Sequence, residues 1–181
     1  MNTSLQNHFE LFGLPISFEV DQQQLAERYR ALQRTVHPDR FANASAQERR
    51  ISVQLAAQIN EALQTLKSPI QRARYLLELR GIVFDEQRDT AIDPMFLMEQ
   101  MELREALADI PGGDDALMRL GRLQDDIRAR TKQLSNELSG LFADGSEAAM
   151  QQAKAVVQKL QFMAKLQQEA DNVEEDLANA L

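Results

Sequence analysis

Cysteine is absent from this sequence, which excludes a disulfide framework, a thiolate metal site and a cysteine nucleophile. Histidine occurs only twice, too few for a histidine-based metal site, so we expect neither a metal nor a cofactor. Basic residues are outnumbered, with 20 Lys and Arg against 28 Asp and Glu and a formal net charge of -8. This balance argues against nucleic-acid binding, because a phosphate-binding surface is basic.

Long apolar runs are also missing. No stretch approaches the roughly 20 consecutive apolar residues that cross a bilayer, and residues 1–7 lack a basic region followed by an apolar one. We therefore expect a cytoplasmic protein that does not enter a membrane.

The residues that are abundant favour helices. Trp is absent and Tyr occurs only 2 times among 181 residues, whereas Leu, Ala, Gln, Glu and Arg are frequent. These are strong helix formers, and β-favouring residues are scarce. We predict an all-α protein with two small helical units, residues 1–81 and 93–181, joined by a linker at 82–92.

The first unit is predicted to contain a helical hairpin with flanking helices. Asp21 and Ser45 are each followed three residues later by Gln or Glu, as expected of helix N-caps. Pro38 disfavours helical geometry at the residue before it, so the first long helix should end near residue 36. Ser68 and Pro69 resemble an N-cap and a first-turn proline, which begin a further helix.

The second unit contains three long amphipathic segments. They are separated by Pro111-Gly112-Gly113 and by Asp144-Gly145, residues that interrupt helices. Three such helices with short connections predict an antiparallel three-helix bundle.

A basic segment on this acidic protein ends at a His-Pro-Asp tripeptide. The tripeptide is His37, Pro38 and Asp39. The basic residues around it are Arg28, Arg30, Arg34 and Arg40. An imidazole and a carboxylate could be two members of a hydrolytic triad, but no Gly-rich nucleophile turn accompanies them. We therefore expect a binding protein and not an enzyme.

The helix beginning near Asp93 has more apolar surface than one core needs. On a wheel of about 100° per residue, one set clusters within about 60°: Phe96, Leu103, Leu107 and Ile110. A second set, Leu97, Met98 and Met101, projects about 100° to 160° away from Phe96. Either another part of the protein covers this second face, or it is a partner-binding surface.

The residues around the tripeptide resemble a J domain over about residues 8 to 80. The matching residues are Tyr29-Arg30-x-Leu32, Arg40-Phe41, Ile59-Asn60-Glu61-Ala62-Leu63-x-x-Leu66, Arg72 and Tyr75. In that family the tripeptide docks on an ATPase chaperone of the DnaK/HscA type and triggers ATP hydrolysis by the partner. The resemblance implies that His37, Pro38 and Asp39 bind this chaperone, and that the four arginines steer the encounter.

The segment Leu97 to Glu105 is similar to the client-binding helix of the HscB family, in which a three-helix bundle likewise follows the J domain. The resemblance implies that the client is an iron-sulfur cluster scaffold protein, handed to the ATPase chaperone in the maturation of iron-sulfur proteins. The residues that would contact the scaffold are Leu97, Met98, Met101, Glu102, Arg104, Glu105 and Phe162.

Two other hypotheses remain at this point. The chain could be a J-domain co-chaperone for a different client, or a structural helical protein in which the tripeptide is accidental. We expect a monomer. The sequence does not reveal affinities, the exact partners, the arrangement of the two units or whether the second face of the helix is exposed.

Overall fold

The structure, a computed structural model, describes residues 6–37, 41, 44–84, 94–110 and 115–179. These residues contain seven helices and no strand, which confirms the all-α prediction. None of the helices in the described part of the chain is long and apolar enough to span a membrane. The chain separates into two compact units, residues 1–80 and 81–181. Most of the predicted linker, residues 85–92, lies outside the described ranges.

The first unit contains α1 (His8–Phe12), α2 (Gln22–Val36), α3 (Ala46–Lys67) and α4 (Pro69–Leu79). The predicted N-caps are present: the side chains of Asp21, Ser45 and Ser68 each accept a backbone N–H from the first turn of the next helix. Largely apolar side chains from all four helices form the core, including Phe9, Phe12, Leu25, Ile59, Leu66 and Leu77. Burial of these residues holds α2 and α3 together as a hairpin.

A polar network also joins the two hairpin helices. The Tyr29 hydroxyl donates to Asn60 Oδ1 at 3.0 Å, and Gln33 Nε2 donates to the same oxygen at 2.9 Å. Gln33 also donates to the Tyr29 hydroxyl oxygen at 3.1 Å. One acceptor on α3 therefore binds two side chains of α2.

The second unit contains α5 (Pro94–Ala108), α6 (Ala116–Asp144) and α7 (Glu147–Asn179). Helices α6 and α7 form a hairpin that turns at Gly145, whose positive φ of 70° suits glycine. Helix α5 packs against both. The three helices share a core that includes Phe96, Leu103, Leu107, Ile110, Leu120, Ile127, Met163 and Leu166.

Two apolar residues that continue the helical spacing of the buried residues on their helices are exposed in the structure. Ile51 lies near the beginning of α3, and Leu117 lies in the first turn of α6. An amphipathic stripe indicates which side of a helix faces a core, but not how far along the helix that core extends.

Candidate functional site

The first candidate site is the C-terminal part of α2. Helix α2 ends at Val36 because a proline follows His37, whose backbone angles are no longer helical (φ -58°, ψ 133°). His37 is exposed at this helix end. Pro38, Asp39 and Arg40, the rest of the predicted chaperone-binding set, lie outside the described residues.

Three predicted steering arginines are exposed on α2, but they do not share one side. Arg30 and Arg34 are four residues apart, which places them one above the other. Arg28 lies about 160° around the helix from Arg30. The Nε of Arg30 donates to the Ala26 carbonyl at 3.2 Å, which holds that side chain along the helix. The outward side of α2 is therefore basic chiefly through Arg30 and Arg34.

The second candidate site is the outer face of α5, which we call the α5 face and define as Leu97, Met98 and Met101. These side chains are 47%, 59% and 64% exposed, whereas Phe96 and Leu103 in the same helix are 5% and 6% exposed. The structure therefore separates the two apolar faces that the helical wheel predicts. Within the bundle, the described residues leave about half or more of each of these three side chains exposed.

Phe162 on α7 lies beside this helix. Its ring makes an edge-to-face contact with Phe96, with centroids 5.7 Å apart. The Arg104 guanidinium lies over the Phe162 ring, with Cζ 5.6 Å from the centroid. The structure thus brings together two predicted scaffold-binding residues from different helices, Arg104 and Phe162, next to the α5 face.

The two predicted glutamates occupy different positions. Glu105 is exposed on the same side as Met98 and Met101, at the rim of the α5 face. Glu102 is also exposed; it lies about 100° around the helix from Met101 but only about 40° from Met98. The helical repeat therefore places both glutamates at the edge of the α5 face, Glu105 one turn after Met101 and Glu102 one turn after Met98.

Three contacts made by polar residues outside the predicted set position α5. Glu99 forms an ion pair with Arg130 of α6, Glu169 of α7 lies 3.9 Å from Arg104, and the Lys159 Nζ is 5.3 Å from the centroid of the Phe96 ring. Sequence reasoning missed these contacts because each joins helices that are distant in the chain. The sequence contained a signal for the Glu169 contact alone: Phe162 and Glu169 are two helical turns apart and therefore lie on the same side of α7.

The exposed side chains at both sites are of the kinds that bind another protein. Within the described ranges, no cluster of three or more His, Cys, Asp or Glu residues is arranged to hold a metal ion. An exposed apolar centre edged by charged side chains is the usual composition of a protein-binding surface.

Comparisons with known proteins agree with this architecture. The family model described as the HSCB C-terminal oligomerisation domain matches residues 92–171. A co-chaperone protein HscB homologue from Shewanella halifaxensis is 50% identical over 171 residues, which cover 94% of this chain and 98% of that protein. A homologue from Vibrio vulnificus is 48% identical with the same coverage.

Solved structures match over nearly the whole chain as well. The chaperone HscB from Vibrio cholerae has a TM-score of 0.85 and 45% identity, covering 94% of this chain and 99% of that one. Human co-chaperone protein HscB also has a TM-score of 0.85, with 30% identity and coverage of 94% and 83%. Identity at this level over almost the full length shows that the chain belongs to the HscB family of co-chaperones.

Proposed function

We propose that this protein is a two-site adaptor that stimulates the ATPase of a DnaK/HscA-type chaperone and delivers an iron-sulfur cluster scaffold protein to it. The first unit binds the chaperone, and the bundle binds the scaffold. This activity aids the maturation of iron-sulfur proteins in the cytoplasm. The observation that carries the proposal is the exposed α5 face on a bundle whose core is otherwise well buried.

The α5 face supports the scaffold-binding half of the proposal. A partner that covers exposed apolar side chains stabilises the complex by roughly 25 cal/mol per Å² of apolar area buried. Methionine adapts its shape to a partner, and two of the three residues of the α5 face are methionines. The charged neighbours Arg104 and Glu105 can fix the orientation of the bound scaffold.

The α2 hairpin supports the chaperone-binding half. Helix α2 ends at Val36, and the proline that follows His37 restricts the backbone, so the tripeptide has few conformations to lose on binding. We propose that Asp39 pairs with a cation of the chaperone, that His37 orients the loop or donates a hydrogen bond, and that Arg28, Arg30, Arg34 and Arg40 accelerate the encounter with an acidic surface.

Calorimetric titration with the same organism's scaffold protein tests the first half. We expect saturable binding by the wild type and its loss in a Leu97→Ala/Met98→Ala/Met101→Ala variant that keeps its helical circular dichroism. The matched control is Val53→Ala/Leu117→Ala, which removes two exposed apolar side chains from helices other than α5. Equal loss in both variants would remove the α5 face from the proposal. No binding by the wild type would indicate a J-domain co-chaperone with a different client.

Single-turnover ATP hydrolysis by the chaperone tests the second half. Asp39→Asn removes one charge without changing the size of the side chain, and we expect it to abolish the stimulation. The control, Asp176→Asn, makes the same chemical change at an exposed position of α7 and should stimulate like the wild type. Stimulation that survives Asp39→Asn unchanged would contradict the J-domain role of the tripeptide.

The contributions of the arginines to the association rate can be measured separately, because they lie on different sides of α2. Because Arg30 and Arg34 lie on the outward side of α2, we expect Arg30→Gln/Arg34→Gln to lower the association rate and its salt dependence more than Arg28→Gln does. Stopped-flow association at two salt concentrations measures both quantities.

We also propose that the protein acts as a monomer. Self-association through the α5 face would compete with the scaffold for the same apolar side chains. Sedimentation velocity at increasing concentration, with the Leu97→Ala/Met98→Ala/Met101→Ala variant beside the wild type, measures the oligomeric state. A stable dimer that this variant abolishes would contradict the proposal.

A further inference from the structure

Glu169 stands out among the acidic residues of the bundle because of its relation to Arg104. It lies seven residues after Phe162, so both side chains are on the stripe of α7 that faces α5. The Arg104 guanidinium contacts the Phe162 ring with Cζ 5.6 Å from the centroid, and its Nη2 is 3.9 Å from Glu169 Oε1. Two groups of α7 therefore hold the end of one long α5 side chain.

The geometry leaves the hydrogen-bonding capacity of Arg104 largely available. A separation of 3.9 Å is an ion pair but too long for a hydrogen bond. The side chain of Arg104 is half exposed, and a guanidinium carries five N–H donors arranged to bind a carboxylate with two parallel hydrogen bonds. Arg104 is thus oriented, but its donors are not saturated by the residues that the structure describes.

We infer that Glu169 is a positioning residue for scaffold binding: with Phe162 it holds Arg104 in place to receive a carboxylate of the scaffold protein at the edge of the α5 face. The inference rests on the proposed function and adds to it a residue on α7 and the chemistry of the partner group. An arginine side chain that is already held loses less conformational freedom when it binds.

Glu169 also has an opposing effect, because its negative charge repels an incoming carboxylate. That repulsion is weakened by solvent, since both side chains are more than one third exposed. A carboxylate can approach the donors of the guanidinium that point away from Glu169. Ordering of the arginine is therefore the larger effect, and loss of Glu169 should weaken binding.

A double-mutant cycle tests this inference by calorimetric titration of the full-length chain with the scaffold protein. We expect Glu169→Gln to raise the Kd about two- to fivefold, the range that an exposed ion pair supports. In an Arg104→Gln background the same substitution should leave the Kd unchanged, because Glu169 acts only through Arg104. The control Glu175→Gln removes one negative charge from the far side of α7 and should have no effect in either background.

The outcomes distinguish this inference from the proposed function. Wild-type binding with an unchanged or lower Kd for Glu169→Gln would overturn the positioning role and leave the function intact. An equal increase in the Arg104→Gln background would also overturn it, because Glu169 would then act on the scaffold directly. Absence of wild-type binding would overturn both proposals.

A measurement without the scaffold checks the intramolecular step. The ring of Phe162 should shift the side-chain proton resonances of Arg104 upfield in the nuclear magnetic resonance spectrum of the wild type. In Glu169→Gln these resonances should move toward the values of a freely rotating arginine. Identical shifts in the two proteins would overturn the positioning role.

Discussion

Phe96 and Leu97 are consecutive in the chain but lie on different faces of α5, so that Phe96 is 5% exposed and Leu97 is 47% exposed. Phe96 packs in the core of the bundle and contacts Phe162. Leu97 forms part of the α5 face. Two neighbouring apolar residues thus have different roles, one in stability and one in the proposed recognition of a partner.

This separation predicts losses of stability of very different size for two alanine substitutions. Phe96→Ala should lower the free energy of unfolding of the bundle by about 3–5 kcal/mol, because it leaves a cavity in the core. Leu97→Ala should cost much less, about 1 kcal/mol, because Leu97 is already 47% exposed to water. Urea denaturation followed by circular dichroism measures both. A large loss of stability in Leu97→Ala would show that the α5 face is covered within the protein.

Arg72 is predicted to be essential for the stability of the first unit. It is 5% exposed, and its guanidinium donates to two backbone carbonyls, those of Phe18 and Leu66. Arg72→Met leaves both buried carbonyls without these donors, which should cost about 2–4 kcal/mol of unfolding free energy.

The matched control for Arg72 is Arg74→Met, two residues away in the same helix. Arg74 forms an exposed i,i+4 ion pair with Glu78 at 3.0 Å, and such a pair contributes about 0.3–0.5 kcal/mol. Chemical denaturation of both variants measures the difference. Similar losses in the two variants would contradict the structural role of Arg72.

His8 should make the first unit less stable in mild acid. Its ring stacks on Tyr75 with centroids 4.3 Å apart. Burial lowers the pKa of His8 from its usual 6.5, and the nearby Glu61 carboxylate opposes this shift. Because the folded protein then binds fewer protons than the unfolded one, stability is complete above the unfolded pKa of 6.5 and is lost as pH falls toward the folded pKa.

The measurement is the unfolding free energy at several pH values from about 8 to 5, for the wild type and His8→Phe. Phenylalanine can still stack on Tyr75 but does not titrate. The free-energy difference between the two proteins should shift in favour of His8→Phe as pH falls. A difference that stays constant over this range would show that burial does not perturb His8.

Local features of the helices were predictable because their causes are local. The N-caps at Asp21, Ser45 and Ser68 need only a side-chain oxygen and the backbone of the next turn, and the structure has all three. The two faces of α5 follow from the helical repeat alone. The J-domain and HscB resemblances rest on short segments of sequence, and the comparisons confirm the HscB family.

Contacts between distant residues were not predictable in the same way. No pattern indicated that Arg72 would donate to the carbonyl of Phe18, 54 residues earlier in the chain. The sequence also did not indicate where each core ends. Ile51 and Leu117 are apolar and at helical spacing, but they are exposed. Such contacts depend on how whole helices pack, and a single helix does not contain that information.

For this protein, the sequence by itself determined the helices, their ends, the basic segment before His-Pro-Asp and the two apolar faces of α5, because helical periodicity and capping depend on residues within a few turns. Only the tertiary structure decided which face of α5 remains in water and that Arg104 lies between Phe162 and Glu169. The physical reason is that burial and ion pairing between helices are set by packing against residues that are distant in the chain, as Phe162 and Glu169 are from Arg104.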